Sequence, residues 1–533
     1  MKPMKEILLL IYMIVMSMSV FGQKQILSVF PNPAETTLVK GRFILTSATK
    51  IYVDNLETSG RDAELFNEYL LKYYSFSLDI SVSQRYDSNA IIIRTITEQD
   101  MPDDAYRLDV SNGFIIIEGK GAGVFYALQT LIQMLPPYKT DVFKLQRIKI
   151  YDYPQYKWRG MHLDVCRHFF TVEEIKKYID HISFYKMNVF HWHLTDDQGW
   201  RIQIDKFPKL TSIGGYRNGT LIGHAKDTVK KYDTIRYGGY YTKEQIRDIV
   251  AYAERRHVMI VPEIEMPGHS LAALSAYPEY SCTGGPFEVA KSWGVFEDVF
   301  CTKDKTIHFL EDVLSEVMDL FPGKYIHLGG DECSKVRWEK CPECRKVMKR
   351  EGFKNTGQLQ HYVMRTIGKF VSSKGKTIIG WDEILEEKLS PGAVVMAWHG
   401  DSVATAAANL KHDVIMCPTD YCYFDYYQGD SITEPLAIGG NTTLEKVYSF
   451  DPAPKKITPE QRKYILGGQG NVWTEYISDF KQLEYMVFPR MIALSEVLWS
   501  KTENRAYESF DRRLQKHVSL LDMYRVNYRR LNK

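Results

Sequence analysis

The sequence predicts an α/β protein in which a small α+β domain precedes a (β/α)8 TIM barrel. Three observations support this prediction. The chain has 533 residues, of which 44% are hydrophobic, and this is enough for two or three domains with substantial cores. From Pro154 to about Ser500, short apolar runs alternate with longer helical segments. Acidic residues and tryptophans directly follow several of these runs, as expected if the runs are parallel strands whose carboxyl ends share one rim.

Residues 1–22 are typical of a signal peptide. Met1–Glu6 contains basic residues, and an apolar run, ILLLIYMIVMSMSVF, follows at Ile7–Phe21. Val20 and Gly22 suit a cleavage site after Gly22. An uncleaved membrane anchor is the alternative, but the run is shorter than a full membrane span. We therefore expect an exported protein, periplasmic or extracellular, with no membrane association after cleavage.

Export would place the eight cysteines where disulfides form. Cys282 and Cys301 flank a polar, glycine-rich insertion, and we expect them to close it as a pair. Cys333, Cys341 and Cys344 form a C-x7-C-x2-C pattern. This pattern could supply three zinc ligands but has no evident fourth, so a disulfide within it is favoured over a metal. No partner is assigned to Cys166, Cys417 or Cys422.

Residues 23–153 are predicted to form the small α+β domain. Strand-like runs occur at Ala90–Arg94 and Gly113–Glu118, and Gly121–Leu135 has a helical pattern.

Residues 154–500 contain eight candidate strands, and eight parallel strands that alternate with helices predict a closed barrel. Thr171 and Thr242 begin two of the helices with capping-box patterns. Residues 501–533 are expected to add a C-terminal helical extension to the barrel. The candidate strands are Gly160–Val165, Asn188–Leu194, Val258–Ile264, Tyr325–Leu328, Thr377–Ile379, Val394–Ala397, Val414–Met416 and Leu466–Gly468.

The composition excludes some partners. A formal net charge of +2 provides no basic field for nucleic acid. An aromatic content of 13% suits a cleft that stacks on sugars, but it also suits an ordinary large core. The sequence does not indicate an oligomeric state.

The fourth candidate strand runs into HLGGDEC, where two glycines precede two adjacent acids. Without Cβ atoms, Gly329 and Gly330 permit a sharp turn, after which both acids can face one ligand. Asp331 and Glu332 could instead be a solvated surface pair, which is the commoner case. In a cleft, the charge of Asp331 and partial desolvation would raise the pKa of Glu332, as a general acid requires.

Other side chains follow the neighbouring strands. Trp381, Trp398 and Trp473 follow three different strands at comparable positions, so they could form a common wall that grips an apolar group or a sugar face. Each of them alone could equally be a packing residue. His269 could be a structural histidine, but its position also fits a residue that relays between Asp196 and the acids.

These motifs, in their order, resemble those of the family 20 glycoside hydrolases, the β-N-acetylhexosaminidases. The signature that carries the resemblance is His327-x-Gly-Gly-Asp331-Glu332. Ala105-Tyr-Arg-Leu and the segment from Gly121 to Leu131 are similar to the family's small α+β domain. Further blocks that look like the family's are Trp158-Arg159-Gly160, Asp164, Arg167-His168, His193-Leu-Thr-Asp196-Asp197-Gln, Met266-Pro-Gly-His269, Gly380-Trp381 and Trp473-x-Glu475.

The resemblance implies an exo-acting enzyme that removes terminal, non-reducing, β-linked N-acetylglucosamine or N-acetylgalactosamine from glycans or chito-oligosaccharides. It implies a retaining, substrate-assisted mechanism, in which the sugar's own 2-acetamido group is the nucleophile. It also implies that neither a cofactor nor a metal takes part.

The resemblance further assigns roles to individual residues. Glu332 would be the general acid and then the base, and Asp331 would accept the acetamido N–H. His269 and one of the adjacent aspartates would orient Glu332; of Asp196 and Asp197, we expect Asp196 to face the site. The sugar would be bound by Tyr423 at the acetamido oxygen, by Trp381, Trp398 and Trp473 around its methyl, and by Arg159, Asp425 and Glu475 at the hydroxyls.

Two other classes of protein remain as alternatives. A non-catalytic sugar-binding barrel would need the aromatic wall but not a protonatable Glu332. A metal-dependent hydrolase would use the clustered carboxylates and His269 as ligands.

Overall fold

A computed structural model describes residues 27–386, 389 and 391–531. The predicted signal peptide at residues 1–22 lies outside the described residues. Within the described part of the chain, no helix combines the length and the apolarity needed to cross a membrane.

The N-terminal domain is a seven-stranded mixed sheet with helices on one face. The strands are β1 Glu35–Leu45, β2 Lys50–Val53, β3 Ile80–Val82, β4 Ala90–Thr95, β5 Tyr106–Val110, β6 Phe114–Gly119 and β7 Phe143–Asp152. Their order in the sheet is β1-β7-β5-β6-β4-β2-β3, in which β4, β2 and β3 run parallel and β7 pairs antiparallel with both of its neighbours. The helices are Ser59–Tyr74 and Gly123–Gln133.

Eight parallel strands then close into a barrel, which confirms the predicted fold. Each predicted strand is present, with ends that differ by a few residues. Barrel strands 1 to 8 are Trp158–Asp164, Val189–His193, Met259–Glu263, Tyr325–His327, Thr377–Trp381, Val394–Ala397, Val414–Met416 and Ile465–Gly470.

Helices surround the barrel, and the sequence signals explain where some of them begin. Thr171 and Thr242 each form the predicted capping box, which satisfies N–H groups that the first helical turn leaves free. The main helices outside the strands are Val172–Phe184, Lys243–Glu254, Asp304–Leu320, Gly357–Ser373, Asp401–Asn409, Phe480–Val487 and Arg490–Trp499. Further helices lie at Leu271–Ala276, Val336–Lys340, Pro342–Glu351, Leu444–Tyr448 and Tyr507–Met523.

Helix Gly123–Gln133 joins the two domains, and every one of its residues is buried. One side packs in the core of the N-terminal domain, and Tyr126 packs against Trp499 from the barrel with ring centroids 5.1 Å apart. The apolar composition of this helix therefore reflects two contact surfaces, where a helix at a protein surface has one.

A buried ion pair lies at the same junction. Lys186 Nζ is 2.9 Å from Asp152 Oδ2, and both side chains are fully buried. Asp152 also accepts hydrogen bonds from the Tyr106 hydroxyl at 2.7 Å and the Trp499 indole at 2.8 Å. The Asp152 carboxylate thus connects the sheet of the first domain to two parts of the barrel: the loop before strand Val189–His193, which carries Lys186, and helix Arg490–Trp499.

We expect Lys186→Met to lower the free energy of unfolding by about 3–5 kcal/mol, because it leaves Asp152 charged and buried without a counter-ion. Urea denaturation followed by circular dichroism measures the change. Lys176→Met is the control: Lys176 pairs with the solvent-exposed Asp248, and exposed pairs contribute less than about 1 kcal/mol. Equal losses in the two variants would contradict this view of the junction.

Candidate active site

The loop after barrel strand 4 turns as predicted. Gly329 and Gly330 have φ of 67° and 96°, values that favour glycine. A Cβ on Gly329 would lie 1.8 Å from a carboxylate oxygen of Glu265, so the backbone also approaches that side chain closely. Glu332 and His269 have left-handed φ values of 44° and 45°. Such a conformation costs a non-glycine residue on the order of 1–3 kcal/mol and is concentrated at functional sites.

Both acids meet His269. Its Nε2 lies 3.5 Å from Glu332 Oε2 and 3.8 Å from Asp331 Oδ2. Its Nδ1 lies 3.0 Å from Asp197 Oδ2 and 3.4 Å from Asp196 Oδ1. The histidine therefore connects the predicted acids to two aspartates, and Asp197 is the nearer one. Burial alone would lower the pKa of His269, but these carboxylates raise it well above its ordinary value.

The pKa values of the two acids differ from the expectation. The predicted rise at Glu332 is wrong for the free protein: the pKa of Glu332 is lowered, chiefly by its hydrogen bond with His269. Its side chain is 46% exposed, so solvent still stabilises the carboxylate. The pKa of Asp331 is raised instead, because that side chain is buried and close to Glu263 and Glu332.

Glu265 is a site residue to which the sequence analysis assigned no role. Both of its carboxylate oxygens are buried, and neither has a hydrogen-bond partner among the described residues. Burial and the neighbouring Asp331 raise the pKa of Glu265 well above its usual range. The sequence offered one signal for a role of Glu265, the glycine pair in HLGGDE of the next βα loop. Because Gly329 has no Cβ, it leaves room for the Glu265 side chain.

Beneath these residues, Glu263 lies fully buried inside the barrel. The Trp381 indole donates to Glu263 Oε1 at 2.9 Å, and His327 Nδ1 lies 2.8 Å from the same oxygen. His193 hydrogen-bonds Glu263 through one ring nitrogen and Asp196 through the other, the latter at 2.9 Å. Burial alone would lower the pKa of His193, but these two carboxylates raise it to about 10.

The structure brings two of the three predicted tryptophans into contact. The ring centroids of Trp381 and Trp473 are 5.8 Å apart. Trp398 stands on the same rim, where its indole donates to Glu383 Oε2 at 3.1 Å. Burial and the charge of Asp331 raise the pKa of Glu383 to about 8. Tyr423 is also buried on this rim.

Asp425 and Glu475 present carboxylate oxygens that the chain does not satisfy. Both oxygens of Asp425 and Oε2 of Glu475 are buried without a partner among the described residues. Buried acceptors in folded proteins nearly always have a donor. Their common position on the rim therefore indicates a ligand that supplies hydrogen-bond donors.

The prediction that Arg159 binds the sugar hydroxyls is wrong. Arg159 lies at the start of barrel strand 1, at the opposite end of the barrel, where it is buried and donates to the backbone oxygens of Lys186 and Tyr156 and to the Tyr126 hydroxyl. Strand direction explains the error, because only residues after the strand reach the catalytic rim.

Arg167, which follows barrel strand 1, lies on the rim where Arg159 was expected. It lies 3.0 Å from Asp196 Oδ2 and 3.9 Å from Glu475 Oε1, and its guanidinium lies over the Trp473 ring at 5.3 Å.

The disulfide predictions also differ from the structure. All eight cysteines are unbridged. Cys282 and Cys301 do lie together, as predicted, but Cys341 and Cys344 join them and Cys333 does not.

Several buried groups on the rim have the composition of metal ligands, among them Asp196, Asp197 and His269. In this group the imidazole Nδ1 already faces both carboxylates at hydrogen-bonding distance. The arrangement is that of a proton relay, in which carboxylates fix the tautomer and charge of the imidazole.

Comparison with known proteins identifies the family. Residues 156–502 match the model described as glycosyl hydrolase family 20, catalytic domain, and residues 27–153 match domain 2 of the same family. The chain belongs to glycosyl hydrolase family 20. It is a glycoside hydrolase of the β-hexosaminidase type.

Among its relatives, a β-hexosaminidase from Porphyromonas gingivalis is 41% identical over 511 residues, which cover 94% of this chain. The chain spans 64% of that relative's length.

Solved structures of family 20 proteins are similar throughout. An exo-β-N-acetylglucosaminidase from Vibrio harveyi, in complex with N-acetylglucosamine, has a TM-score of 0.84 at 30% identity. The match covers 95% of this chain and 78% of the Vibrio harveyi chain. A mutant Streptomyces plicatus β-hexosaminidase in complex with its product has a TM-score of 0.82 at 30% identity, and the match covers 95% of this chain and 97% of the Streptomyces plicatus chain.

The two arginines of this family 20 hydrolase can be separated by experiment. We expect Arg167→Met to lower kcat/KM by at least about 10²-fold, roughly 2.7 kcal/mol, because it removes the guanidinium that pairs with both Asp196 and Glu475. Arg159→Met should lower the thermal unfolding midpoint and leave kcat/KM of the folded protein within about twofold. Steady-state kinetics with differential scanning fluorimetry measures both. A large loss of kcat/KM in Arg159→Met with little loss in Arg167→Met would show that Arg159, and not Arg167, acts in the site.

Proposed function

We propose that this family 20 hydrolase removes terminal, non-reducing, β-linked N-acetylglucosamine or N-acetylgalactosamine from glycans or chito-oligosaccharides. The reaction is exo-acting, retains the anomeric configuration and uses the substrate's 2-acetamido oxygen as nucleophile. The Vibrio harveyi and Streptomyces plicatus proteins are similar over most of this chain and bind N-acetylglucosamine, which supports the choice of sugar.

One observation carries the proposal: Asp331 Oδ1 is buried without a donor among the described residues, immediately beside the half-exposed Glu332. An unsatisfied buried carboxylate oxygen suits a ligand N–H, and the acetamido group of the sugar supplies one. The neighbouring Glu332 is open enough to reach a glycosidic oxygen. Asp331 can accept an amide N–H, and the next residue, Glu332, can donate a proton. These two functions match a sugar ring that carries both an acetamido group and a glycosidic oxygen.

In the first step, the acetamido oxygen attacks the anomeric carbon while Glu332 protonates the leaving oxygen. Bound sugar excludes the water that solvates Glu332, which raises its pKa from the low value of the free protein. Asp331 accepts the acetamido N–H and stabilises the positive charge that develops on the cyclising amide. The Tyr423 hydroxyl donates a hydrogen bond to the acetamido oxygen.

In the second step, water attacks the anomeric carbon of the cyclic intermediate and Glu332 accepts its proton. Two displacements at the same carbon retain its configuration. His269 stays between Glu332 and the aspartates Asp196 and Asp197, so it holds the carboxyl in one orientation as its protonation changes.

The remaining rim residues define where the sugar ring lies. Trp381, Trp398 and Trp473 form the wall for the acetamido methyl and the apolar sugar face. Arg167, Asp425 and Glu475 bind the ring hydroxyls, with Arg167 in the role that the sequence assigned to Arg159. The unsatisfied oxygens of Asp425 and Glu475 support this assignment.

The two alternative classes are supported less well. A sugar-binding barrel without activity would not need the connected series Glu263, His193, Asp196 and His269 behind the acid. A metal-dependent hydrolase would need free lone pairs on His269, whose Nδ1 instead faces two carboxylates.

Export to the periplasm or the cell exterior is part of the proposal. It rests on the basic residues and apolar run of residues 1–22, which are typical of a cleaved signal. Polymeric or oligomeric glycans are substrates that an enzyme in such a location would meet.

The role of Glu332 can be tested with leaving groups. Glu332→Gln removes the proton donor at nearly constant size, so hydrolysis of a chito-oligosaccharide should slow by about 10²–10⁴-fold. An aryl glycoside with an acidic phenol leaves without much protonation and should lose less. Initial rates on both substrates measure the difference, and equal losses would mean that Glu332 is not the acid.

Substrate assistance predicts the behaviour of Asp331. Asp331→Asn exchanges a charge for an amide, so it should lower kcat and also weaken inhibition by a thiazoline that mimics the cyclic intermediate. Asp248→Asn, at an exposed position on helix Lys243–Glu254, is the matched control and should change neither value.

A glucoside with a 2-hydroxyl lacks the internal nucleophile and should react orders of magnitude more slowly than the N-acetylglucosaminide. Comparable turnover of the two glycosides, or a sugar trapped covalently on an enzyme carboxylate, would refute the mechanism.

A further inference from the structure

Four cysteines from two separate loops meet at one point beside the active site. The Sγ atoms of Cys282 and Cys344 are 3.6 Å apart, those of Cys301 and Cys344 are 3.7 Å apart, and those of Cys301 and Cys341 are 3.8 Å apart. All four sulfur atoms lie within 4.8 Å of one another. Three of the side chains are buried and the fourth is half-buried.

These distances match a metal centre better than they match disulfides. Four thiolates bound to zinc at about 2.3 Å stand at the corners of a tetrahedron whose edges are about 3.8 Å. A disulfide requires sulfur atoms about 2.05 Å apart. We propose that Cys282, Cys301, Cys341 and Cys344 bind one structural Zn²⁺ ion, a site separate from the catalytic rim.

The local sequence and backbone suit such a site. Cys341-Pro-Glu-Cys344 is a C-x2-C pair in which Cys341 precedes the first turn of helix Pro342–Glu351 and Cys344 lies within that turn. This spacing is common among zinc ligands.

The four ligands form two pairs on neighbouring βα loops. Cys282 and Cys301 stand at the two ends of the insertion after barrel strand 3, and the backbone pairs there through a bridge between Ser281 and Phe300. Cys341 and Cys344 follow Asp331 and Glu332 after barrel strand 4. Zinc would therefore join the loop that carries His269 to the loop that carries the two acids.

The insertion between the first pair reaches the catalytic relay. The N–H of Ala290 donates to the backbone oxygen of Asp197 at 3.0 Å, and the Gln198 amide donates to the backbone oxygen of Ser292 at 2.9 Å. From the second loop, the Trp338 indole donates to the backbone oxygen of Phe300 at 2.9 Å. A metal that closes the base of the insertion would thus also hold Asp197 and Gln198 in position.

The proton and charge balance of binding is simple. Four thiols lose four protons to the solvent as Zn²⁺ binds, and the complex carries a charge of −2, without any change in oxidation state. Arg337, which pairs with Asp298 at 2.9 Å, lies on helix Val336–Lys340, directly before Cys341.

The test measures metal and thiols in the full-length enzyme, purified without reductant or chelator from cells supplied with zinc. We expect about one zinc per chain by plasma mass spectrometry. We also expect all eight cysteines to react with a thiol reagent once the protein is denatured in chelator. Neither measurement uses glycosidase activity, so each result is independent of the proposed function.

Variants locate the metal. Cys344→Ser should reduce the zinc content at least tenfold and lower the thermal unfolding midpoint, whereas Cys344→His keeps a zinc ligand and should retain most of the metal. Cys422→Ala is the matched control: Cys422 is buried but stands outside the cluster, so this variant should bind zinc like the parent. Cobalt in place of zinc should give the intense visible bands of a tetrahedral thiolate site.

Two results would overturn the proposal. Four unreactive cysteines with less than about a tenth of a zinc per chain would show that the cluster forms two disulfides. Eight reactive cysteines without bound zinc or cobalt would show four reduced thiols that pack together. Both results come from the parent protein, so they do not depend on whether a cysteine variant folds.

Discussion

The site depends on one buried carboxylate, Glu263, inside the barrel. An isolated charge there would be prohibitively costly, so the surrounding strands must supply compensating groups. They do so from three directions: Trp381 donates from strand 5, His327 approaches from strand 4, and His193 hydrogen-bonds from strand 2. Because Glu263 lies on strand 3, these contacts join four consecutive strands below the rim. This carboxylate orients Trp381, which we propose as part of the wall of the sugar pocket.

From Glu263, charges alternate toward the substrate. His193 connects Glu263 to Asp196, Asp196 and Asp197 face His269, and His269 faces Glu332. Each acid in the series has a basic neighbour, which explains how so many ionisable groups can be buried together. Four other acids keep carboxylate oxygens without a hydrogen-bond partner among the described residues: Asp331, Asp425, Glu475 and Glu265. Three of these four are positions that the sequence assigned to the substrate.

The sequence predicted features that follow from strand direction and residue type. The barrel strands, the glycine turn and the rim positions of the acids and tryptophans could be found because each is encoded within a few adjacent residues. Arg159 was misassigned because it shares a motif with rim residues but precedes the strand, while Arg167 follows it. The pKa of Glu332 and the contact between Glu265 and Asp331 arise from residues on different loops. The cluster of Cys282, Cys301, Cys341 and Cys344 also forms between two different loops. The linear sequence does not show which loops lie close together in the fold.

The strain at the site explains why the loops around it must be held firmly. His269 and Glu332 both have left-handed backbone conformations, which cost on the order of 1–3 kcal/mol each and persist only where neighbouring structure fixes them. The two loops lie close together: a Cβ on Gly268 would lie 3.2 Å from the backbone oxygen of Asp331, which is a tighter contact than most side chains make. The four cysteines come from the same two loops and lie within 4.8 Å of one another. A zinc ion bound there, as proposed, would oppose separation of the loops and so help to keep His269 beside Glu332.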